Sequence, residues 1–315
     1  MKKTVRNILG CLLMLGILML FPTMKAEAAT LTQTGAEKNS VTVSWTAKSD
    51  AIQYRVYIGS DYSNTQLYTT VNANTTSATI TGLSAGTKYY VRIEYDYYNY
   101  SHTGTYSSTA GSKYDVATLP DQVTGVKQER WYYFAKSFNA TWDKQTGVDG
   151  YQYIVYTNTG KKKTSGTCNS SFSNNASISK ISNSVVYTMK VRAFTDINGK
   201  RYYGSWSKSA YFFTQPRITK ISAKNGKLSV KWGKVAGATG YDVYVSTKKT
   251  TGYKKVKSVS KKTSSVSIKK LGKAKISKKK TYYIYIVTKK KVGKTTYTSG
   301  RLYYWNSKTD GFGYF

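Results

Sequence analysis

The sequence predicts an all-β protein made of three tandem sandwiches, in each of which two sheets pack face to face. An alternating apolar run that ends in Trp is followed, nine residues after that Trp, by a second alternating run that starts with Tyr, and this pattern occurs three times. Alternation with a period of two is typical of half-buried strands. Tyr contributes 31 of the 315 residues and Pro only three, which favours strands over helices.

The clearest copy of the pattern joins residues 228–232 to residues 241–245 through a Gly-rich turn. Because an offset of nine is odd, the two runs are separate strands, and the Trp that ends the first can pack between two sheets. The Trp recurs after 97 and then 90 residues, which predicts three modules. The earlier copies join residues 41–45 to 54–58 and residues 138–142 to 151–155.

Residues 1–28 are predicted to be a secretory signal peptide. Three basic residues precede an apolar run over residues 8–21, and small residues occupy the cleavage positions before Ala29. No second long apolar stretch follows, so the sequence predicts no membrane span in the mature chain. We therefore expect a secreted protein.

Two prolines mark the joints between the modules. Pro120 and Pro216 are the only prolines after the signal peptide, and each follows a strand-like run and precedes a new copy of the pattern. A proline at such a place stiffens the connection and donates no ladder hydrogen bond where the chain changes sheet. The predicted divisions are modules one, two and three at residues 29–119, 120–215 and 216–305, followed by a loose C-terminal tail without a partner strand at residues 306–315.

A second motif resembles a known family. Leu83 is followed by a Gly-containing turn and then, six residues after the Leu, by Tyr89 and alternating apolar residues. This arrangement resembles the corner between strands E and F of fibronectin type III domains, with Tyr89 as the corner tyrosine. Ile181 and Tyr187 repeat the interval in module two, and in module three an insertion leaves either Leu271 or Ile276 in the Leu position before Tyr282.

The resemblance covers essentially all of the chain after the signal peptide. It implies a seven-stranded immunoglobulin-like sandwich for each module, and module three is similar to repeats in surface proteins of Gram-positive bacteria. It implies no single function, because such modules serve as spacers, as adhesins and as companions of carbohydrate-active domains. The residues expected in the cores are Trp45, Trp142, Trp232, Tyr89, Tyr187 and Tyr282.

Catalysis is not predicted. After the signal peptide the chain has one histidine, His102, and thirteen acidic residues, and it lacks the common hydrolase, zinc and phosphate-binding motifs. Glu94 and Asp96 are a carboxylate pair by proximity only, which we interpret as a solvated strand face. Cys168 is interpreted as an ordinary loop cysteine that forms no disulfide. We therefore expect no enzyme, no cofactor and no metal site.

Charge is the most informative feature of the sequence. Basic and acidic residues number 6 and 6 in module one, 13 and 5 in module two, and 26 and 2 from residue 216 to the end. This gradient predicts that the C-terminal end meets a polyanion, and the preference for Lys over Arg predicts diffuse contacts. The candidate polyanion-binding residues are Lys278, Lys279, Lys280, Lys289, Lys290, Lys291 and Lys294.

Several partners and one non-binding role fit this charge. For an exported Gram-positive protein the nearest polyanion is an anionic cell-wall polymer or glycan, and extracellular nucleic acid is a further candidate. The alternatives are a structural spacer whose lysines only keep the strands soluble, and an accessory module protein for carbohydrate-active enzymes. We expect the protein to be associated with the cell wall.

Tyrosines form the second candidate site. Residues 95–106 fall where a fibronectin type III domain has the end of strand F and the FG loop, and Tyr, Ser, Asn and Gly are also the residues of adaptable binding loops. Alternatively, these tyrosines only continue strand F and cover the end of the sandwich. The candidates for binding a glycan or a protein are Tyr97, Tyr98, Tyr100 and Tyr106, and those for an outward tyrosine ladder are Tyr57, Tyr90, Tyr244, Tyr283 and Tyr285.

Overall fold

The computed structural model of the protein describes residues 30–98, 105–109, 114–129, 136–169, 173–214, 216–306 and 312–314. Within these ranges every regular element is a β-strand, so the all-β prediction is confirmed. The predicted signal peptide lies outside the described residues. No helix in the described part of the chain is long and apolar enough to span a membrane.

Module one is a sandwich of two antiparallel sheets. Its strands are β1 (Leu31–Ala36), β2 (Ser40–Trp45), β3 (Ala51–Gly59), β4 (Thr65–Asn72), β5 (Ser77–Thr81), β6 (Lys88–Tyr98), β7 (Thr105–Thr109) and β8 (Tyr114–Ala117). The smaller sheet has the order β1-β2-β5, and the larger has the order β4-β3-β6 with β7 and β8 both pairing with β6. Since β7 and β8 share one edge of β6, they act as a single interrupted strand, and the module has the expected seven-strand arrangement.

Module two repeats this arrangement. Its strands are β9 (Lys127–Gln128), β10 (Phe138–Thr141), β11 (Gly150–Tyr156), β12 (Lys162–Asn169), β13 (Asn175–Ile178), β14 (Val186–Ile197), β15 (Lys200–Tyr203) and β16 (Ala210–Phe213). The sheets have the orders β13-β10-β9 and β12-β11-β14, with β15 and β16 both on β14. Asn198 and Gly199 make a two-residue hairpin turn between β14 and β15, because both adopt the positive φ angles, 48° and 73°, that such a turn requires.

Module three has the same two sheets and two additions. Its strands are β17 (Ile218–Lys224), β18 (Lys227–Trp232), β19 (Gly240–Ser246), β20 (Lys254–Ser260), β21 (Ser265–Ile268), β22 (Lys270–Leu271), β23 (Ala274–Lys275), β24 (Tyr283–Val292), β25 (Thr295–Thr298), β26 (Tyr304–Asn306) and β27 (Phe312–Tyr314). The smaller sheet has the order β17-β18-β21, and the larger has the order β20-β19-β24-β26-β27 with β25 also on β24. The first addition is the β22–β23 hairpin, which is the insertion that stretches the corner motif.

The second addition corrects the prediction of a loose C-terminal tail. Strand β27 pairs antiparallel with β26, so residues 312–314 extend the larger sheet. Asn306, which we assigned to the tail, is buried, and its side-chain oxygen accepts a hydrogen bond from the backbone N–H of Tyr282 at 2.6 Å. The prediction failed because Gly311 and Gly313 flank Phe312, and glycine is disfavoured in strands.

The core of each module is organised around the repeated Trp and Tyr. The Trp ends the middle strand of the smaller sheet, and the Tyr lies on the facing larger sheet, so the two rings meet edge to face across the sandwich. The ring centroids are 5.4 Å apart for Trp45 and Tyr54, 5.4 Å for Trp142 and Tyr151, and 5.6 Å for Trp232 and Tyr241. The three Trp side chains are at most 5% exposed. The nine-residue offset therefore places this pair across the two sheets in all three modules.

The corner tyrosine is present in each module. The hydroxyl oxygen of Tyr89 accepts a hydrogen bond from the backbone N–H of Ser84 at 2.9 Å. The same bond joins Tyr187 to Ser182 at 2.8 Å and Tyr282 to Ser277 at 2.9 Å. Because Ile276 precedes Ser277 and is buried, Ile276 and not Leu271 takes the Leu position of module three.

Modules one and two meet over a mixed apolar and charged junction. Ile197 and Tyr202, which flank the hairpin turn of module two, form a small apolar cluster with Ala117 of module one. Lys88 and Asp149 form an ion pair across the junction at 3.0 Å. Both apolar and charged side chains therefore contact each other across this junction.

Two residues of module two belong to the apolar core of module three. Val186 and Phe213 of module two belong to the same buried cluster as Val235 of module three. The backbone N–H of Val186 also donates to the carbonyl of Ala236 at 2.9 Å. The turn between β18 and β19 is therefore fixed against module two, and the opposite end of module three points away from it.

Candidate functional site

The seven predicted lysines do not form one patch. Lys278, Lys279 and Lys280 directly precede β24, whereas Lys289, Lys290 and Lys291 lie near its far end. Strands rise about 3.3 Å per residue, so the nine residues from Lys280 to Lys289 separate the two groups by roughly 30 Å. The structure thus divides the predicted set between opposite ends of module three.

The second group lies at the junction with module two. Lys290 and Lys291 line a cleft with residues 156–160 of module two. The Nζ of Lys289 lies 2.5 Å from Oδ1 of Asp242, which also accepts from the hydroxyl of Ser258 at 2.7 Å. Burial raises the pKa of Asp242, but the hydrogen bonds from Lys289 and Ser258 outweigh it and lower the pKa overall. Asp242 therefore stays ionised and forms an ion pair with Lys289, whose role as a polyanion ligand stays a prediction.

The first group belongs to a larger set of lysines at the distal end of module three. Because β18 and β19 are joined by the turn that contacts module two, the start of β18 and the end of β19 share the opposite end. The turns 224–227, 247–254 and 269–280 all lie there, and we define them as the distal end. They contribute twelve exposed lysines: Lys224, Lys227, Lys248, Lys249, Lys254, Lys269, Lys270, Lys273, Lys275, Lys278, Lys279 and Lys280.

Asp242 is the single acidic residue in the described part of module three. Asp242 is the third residue of β19, near the junction end of that strand, and it is already paired with Lys289. The distal end therefore has a high density of positive charge. A surface of one sign raises the local concentration of oppositely charged polymer.

The inserted hairpin brings lysines against one another. Lys270 and Lys275 are directly opposite across β22 and β23. The Nζ of Lys254 comes within 3.5 Å of the position that a Cβ on Gly272, in the hairpin turn, would take. Like charges placed directly opposite destabilise a strand pair, so the repulsion between these lysines lowers the stability of the hairpin. A bound anion would offset that loss of stability.

The same arrangement occurs on the outer face of the smaller sheet. Lys220 of β17 is opposite Lys231 of β18, and Lys224 is opposite Lys227. The inner face of these strands is apolar, because Val230 and Leu228 are completely buried. The two lysine pairs are about 13 Å apart along the strands, given the usual rise per residue.

Tyrosines cover the outer face of the larger sheet of module three. Tyr244 stacks on Tyr285 with centroids 4.6 Å apart, and Tyr253 and Tyr303 lie 4.9 Å and 5.4 Å from Tyr285. The guanidinium of Arg301 lies over the Tyr285 ring at 5.2 Å. Burial raises the pKa of Tyr285, so its hydroxyl stays protonated at neutral pH. Tyr244 and Tyr285 thus belong to an outward cluster. Tyr283 lies in the same strand as Tyr285, opposite Ser246.

The tyrosine candidates of module one are divided. Tyr97 lies at the end of β6 with its ring 5.6 Å from that of Tyr95, and Tyr98 is 65% exposed. Tyr106 lies in β7 opposite Tyr97, so it is part of a strand and not of a loop. Tyr100, like His102, lies outside the described residues. Of the four, only the Tyr98 side chain is shown to present a large surface to solvent.

The outward tyrosines of module one are engaged within the module. The guanidinium of Arg92 lies 4.1 Å from the centre of the Tyr57 ring. Tyr90 packs against Tyr62 with centroids 4.2 Å apart. These two tyrosines therefore do not form a ladder of the kind predicted by the sequence.

The carboxylate pair of module one is not a solvated strand face. Arg55 Nη2 lies 2.9 Å from Asp96 and 3.3 Å from Glu94, and Arg92 also contacts Glu94. The side chains of Glu94 and Asp96 are only 17% and 12% exposed. Two arginines therefore neutralise them, because burial makes an unpaired carboxylate costly.

Cys168 lies in strand β12 and not in a loop as predicted. Its side chain is half-buried, and its thiol donates a long hydrogen bond, 3.2 Å, to the carbonyl of Asn175. Burial raises the pKa of the thiol, which disfavours the reactive thiolate. Among the described residues there is also no cluster of His, Cys, Asp and Glu that could hold a metal.

Comparison with known proteins identifies the type of module. Residues 27–110 match the sequence model of the fibronectin type III domain family. The solved structures similar to this chain include a segment of two fibronectin type III domains from chicken tenascin, with 16% identity over 59% of this chain and 98% of that chain and a TM-score of 0.35. The FN1–FN3 domains of chicken CNTN1 have 17% identity, cover 87% of this chain and 96% of theirs, and give a TM-score of 0.30.

A third similar structure is the central fibronectin type III array of RIM-binding protein, with 18% identity, coverage of 87% of this chain and 96% of that chain, and a TM-score of 0.23. No curated protein sequence matches the chain. The family match includes the Tyr89 corner, and the strand order and the corner recur in modules two and three. The described chain is therefore an all-β tandem of three sandwiches, and the first of them matches the fibronectin type III family.

Proposed function

We propose that this is a secreted, non-enzymatic binding protein that holds an anionic polymer with the distal end of module three. The observation that carries this proposal is the convergence of twelve exposed lysines on one end of a module whose single described carboxylate is paired elsewhere. Fibronectin type III domains generally act as binding modules or as spacers. Modules one and two would separate the cationic distal end of module three from any partner that binds module one.

The chemistry of the distal end favours a flexible, repeating polyanion. Lysine is a point charge on a flexible stem, so it tolerates many phosphate positions, whereas Arg gives bidentate, geometrically specific contacts. The distal lysines come from three separate turns, so several anionic groups of one chain can be contacted together. For an exported protein such as the signal peptide predicts, the ligand we propose is an anionic cell-wall polymer, and the location is the cell wall.

The experiment compares two variants with the same change in charge. In the first, Lys270, Lys273, Lys279 and Lys280 of the distal end are changed to Gln. In the matched control, Lys261, Lys262, Lys290 and Lys294 at the junction end are changed to Gln. Binding of the full chain to long-chain inorganic polyphosphate, which stands for a phosphate-rich wall polymer, is measured across a salt titration.

The distal variant should bind polyphosphate at least about tenfold more weakly. Its affinity should also depend less steeply on salt concentration, because a complex with fewer lysine–phosphate contacts releases fewer counterions when it forms. The junction variant should lose no more than about threefold. Equal losses in the two variants would mean that only net charge matters. Retention of both variants on purified cell walls would contradict the proposal and favour the spacer.

One observation supports the spacer as a second candidate function. Both module junctions are packed: Ile197 and Tyr202 contact module one, and Val186 and Phe213 share a core with module three. Restricted junctions are what a spacer of defined length requires. A spacer predicts that the distal variant leaves retention at the cell surface unchanged.

A further inference from the structure

An open groove lies between modules two and three, separate from the distal end. Its walls are residues 122–128 and 207–213 of module two and residues 297–303 of module three, and its volume is about 1280 Å³. Ligand sites occur preferentially at domain interfaces and are usually preformed. We define this feature as the intermodule groove.

The groove has aromatic walls. The rings of Tyr211 and Tyr297 meet across the two modules with centroids 4.6 Å apart and an angle of 49° between their planes. Tyr303 also lines the groove, and its ring lies 5.4 Å from that of Tyr285. All three tyrosines are half-buried, so each keeps part of its surface accessible. Rigid aromatic surface of this kind provides contact area at a low entropic cost.

The charge of the groove has one sign. Lys127, Lys208 and Arg301 line it and are exposed, and none of its described lining residues is Asp or Glu. The carboxylate of Asp143, close to Gly125 of one wall, accepts a hydrogen bond from the hydroxyl of Thr124 at 2.7 Å. The groove therefore favours an occupant that carries negative charge.

The remaining lining is rich in hydroxyl groups. Thr124, Ser209 and Thr298 also line the groove. Hydroxyls both donate and accept hydrogen bonds, which suits a ligand that itself carries many hydroxyls. A sugar ring presents C–H groups to an aromatic face and hydroxyls at its rim, so it fits such a surface.

The junction that forms the groove is preorganised. The backbone bond between Val186 and Ala236 measures 2.9 Å, and Gly237 passes so close to Asn158 that a Cβ there would come within 2.6 Å of the Cβ of Asn158. Gly237 also has a positive φ of 83°, which only glycine adopts readily. A ligand entering this groove would meet walls that are already in place, which reduces the entropic cost of binding.

We propose that the intermodule groove binds a segment of polysaccharide that carries negative groups. Sugar rings would lie against Tyr297 and Tyr303, and the negative groups would meet Lys127, Lys208 and Arg301. Stacked nucleic acid bases fit less well, because the rings of Tyr211 and Tyr297 meet at 49° and so do not offer parallel faces for successive bases. This proposal is independent of the distal end, which needs only charge.

The test blocks the groove without disturbing the core. Thr298 lines the groove and is exposed, so Thr298→Trp would fill it. The matched control is Thr296→Trp, an exposed position two residues away on β25 that lies outside the groove lining. Calorimetric binding of the full chain to polygalacturonate fragments, polyphosphate and oligothymidylate is measured for both, with melting temperature as the check on folding.

Thr298→Trp should weaken polygalacturonate binding at least about tenfold, whereas Thr296→Trp changes it less than about twofold. Polyphosphate binding should be unchanged by either substitution, because it depends on the distal lysines. If Thr298→Trp perturbs folding, the double change Lys127→Gln and Lys208→Gln, at two exposed positions, serves as the test instead. This double change should weaken polygalacturonate binding by about threefold to tenfold.

Four outcomes would overturn the proposal. They are unchanged polygalacturonate affinity in Thr298→Trp, equal losses in the two Trp variants, an equal loss of oligothymidylate binding, and absence of polygalacturonate binding at low salt. Each of these leaves the polyphosphate result intact. Failure of the groove and failure of the distal end can therefore be told apart.

Discussion

Modules one and three have the same sandwich but opposite electrostatic designs. In module one the outer face of the larger sheet is closed by an ion cluster, in which Arg55 contacts both Glu94 and Asp96. In module three the corresponding face carries tyrosines around Tyr285, and most cations have no acidic neighbour in the described chain. The comparison shows that two modules with the same buried Trp and Tyr pair can carry outer faces of different charge and aromatic content.

The smaller sheets show the difference at matched positions. Ser44 precedes Trp45 and lies opposite Thr32. The hydroxyl oxygens of Ser44 and Thr32 are 3.3 Å apart. Lys231 precedes Trp232 in the same way and lies opposite Lys220. Module three thus accepts a repulsive pair where module one has a neutral hydrogen bond.

The largest expected effect tests the shared core. Trp45→Ala and Trp232→Ala should each lower the free energy of unfolding by about 3–5 kcal/mol, because each removes a large buried ring and leaves a cavity. Urea unfolding of the full chain, with amide hydrogen exchange to separate the modules, measures both losses. A loss below about 1 kcal/mol in one module alone would break the equivalence of the two cores.

The corner tyrosines provide a smaller test. Tyr282 is 1% exposed, whereas Tyr89 is half-buried. Tyr282→Phe should therefore cost about 1–2 kcal/mol, because it leaves the N–H of Ser277 without its acceptor, and Tyr89→Phe should cost less. Thermal unfolding of both variants checks the order. A larger loss for Tyr89→Phe would show that burial does not set the cost.

The stability of module three depends on pH through Asp242. Its pKa is lower in the folded protein than in the unfolded chain, so its contribution to stability is present above the ordinary value of 3.8 and is lost as the pH falls through the lowered value. Asp242→Asn should therefore destabilise module three at pH 7, by about 0.5–1 kcal/mol after screening, but not at a pH below the lowered value. Hydrogen exchange across this pH range measures the effect. Equal destabilisation at both extremes would contradict it.

The smallest effect concerns the lysine pair. Lys231→Ser should stabilise module three by roughly 0.2–0.5 kcal/mol at low salt, because it removes the repulsion from Lys220. The gain should disappear at high salt, where repulsion is screened. Ser44→Lys is the control in module one and should be nearly neutral, since Thr32 lies opposite. A loss of stability in Lys231→Ser at low salt would show that the pair is not repulsive.

Sequence patterns predicted the parts of the fold that depend on local order. The Trp and Tyr offset and the corner interval predicted the core rings and Tyr282. The pairing of β27 with β26 was missed, because the glycines on either side of Phe312 are disfavoured in strands. The placement of Cys168 in β12 was missed as well, since edge strands alternate only weakly.

For the candidate site, the sequence identified the cationic module but not its cationic end. Lys278 to Lys280 and Lys289 to Lys291 look alike in sequence, yet they lie at opposite ends of β24. Counting charges could not show that Lys289 is paired with Asp242, 47 residues away along the chain. The intermodule groove was also invisible, because its walls come from segments that are distant in sequence.

The sequence by itself determined that this is a tandem of three β-sandwiches with a steep charge gradient. Period-two alternation, the spacing of aromatic residues and composition are local properties, and they decide which residues are buried. Only the tertiary structure decided which lysines stand together, which are neutralised, and where a groove opens. These features depend on how strand connections bring distant turns to the same end of a sandwich, and no local pattern records that.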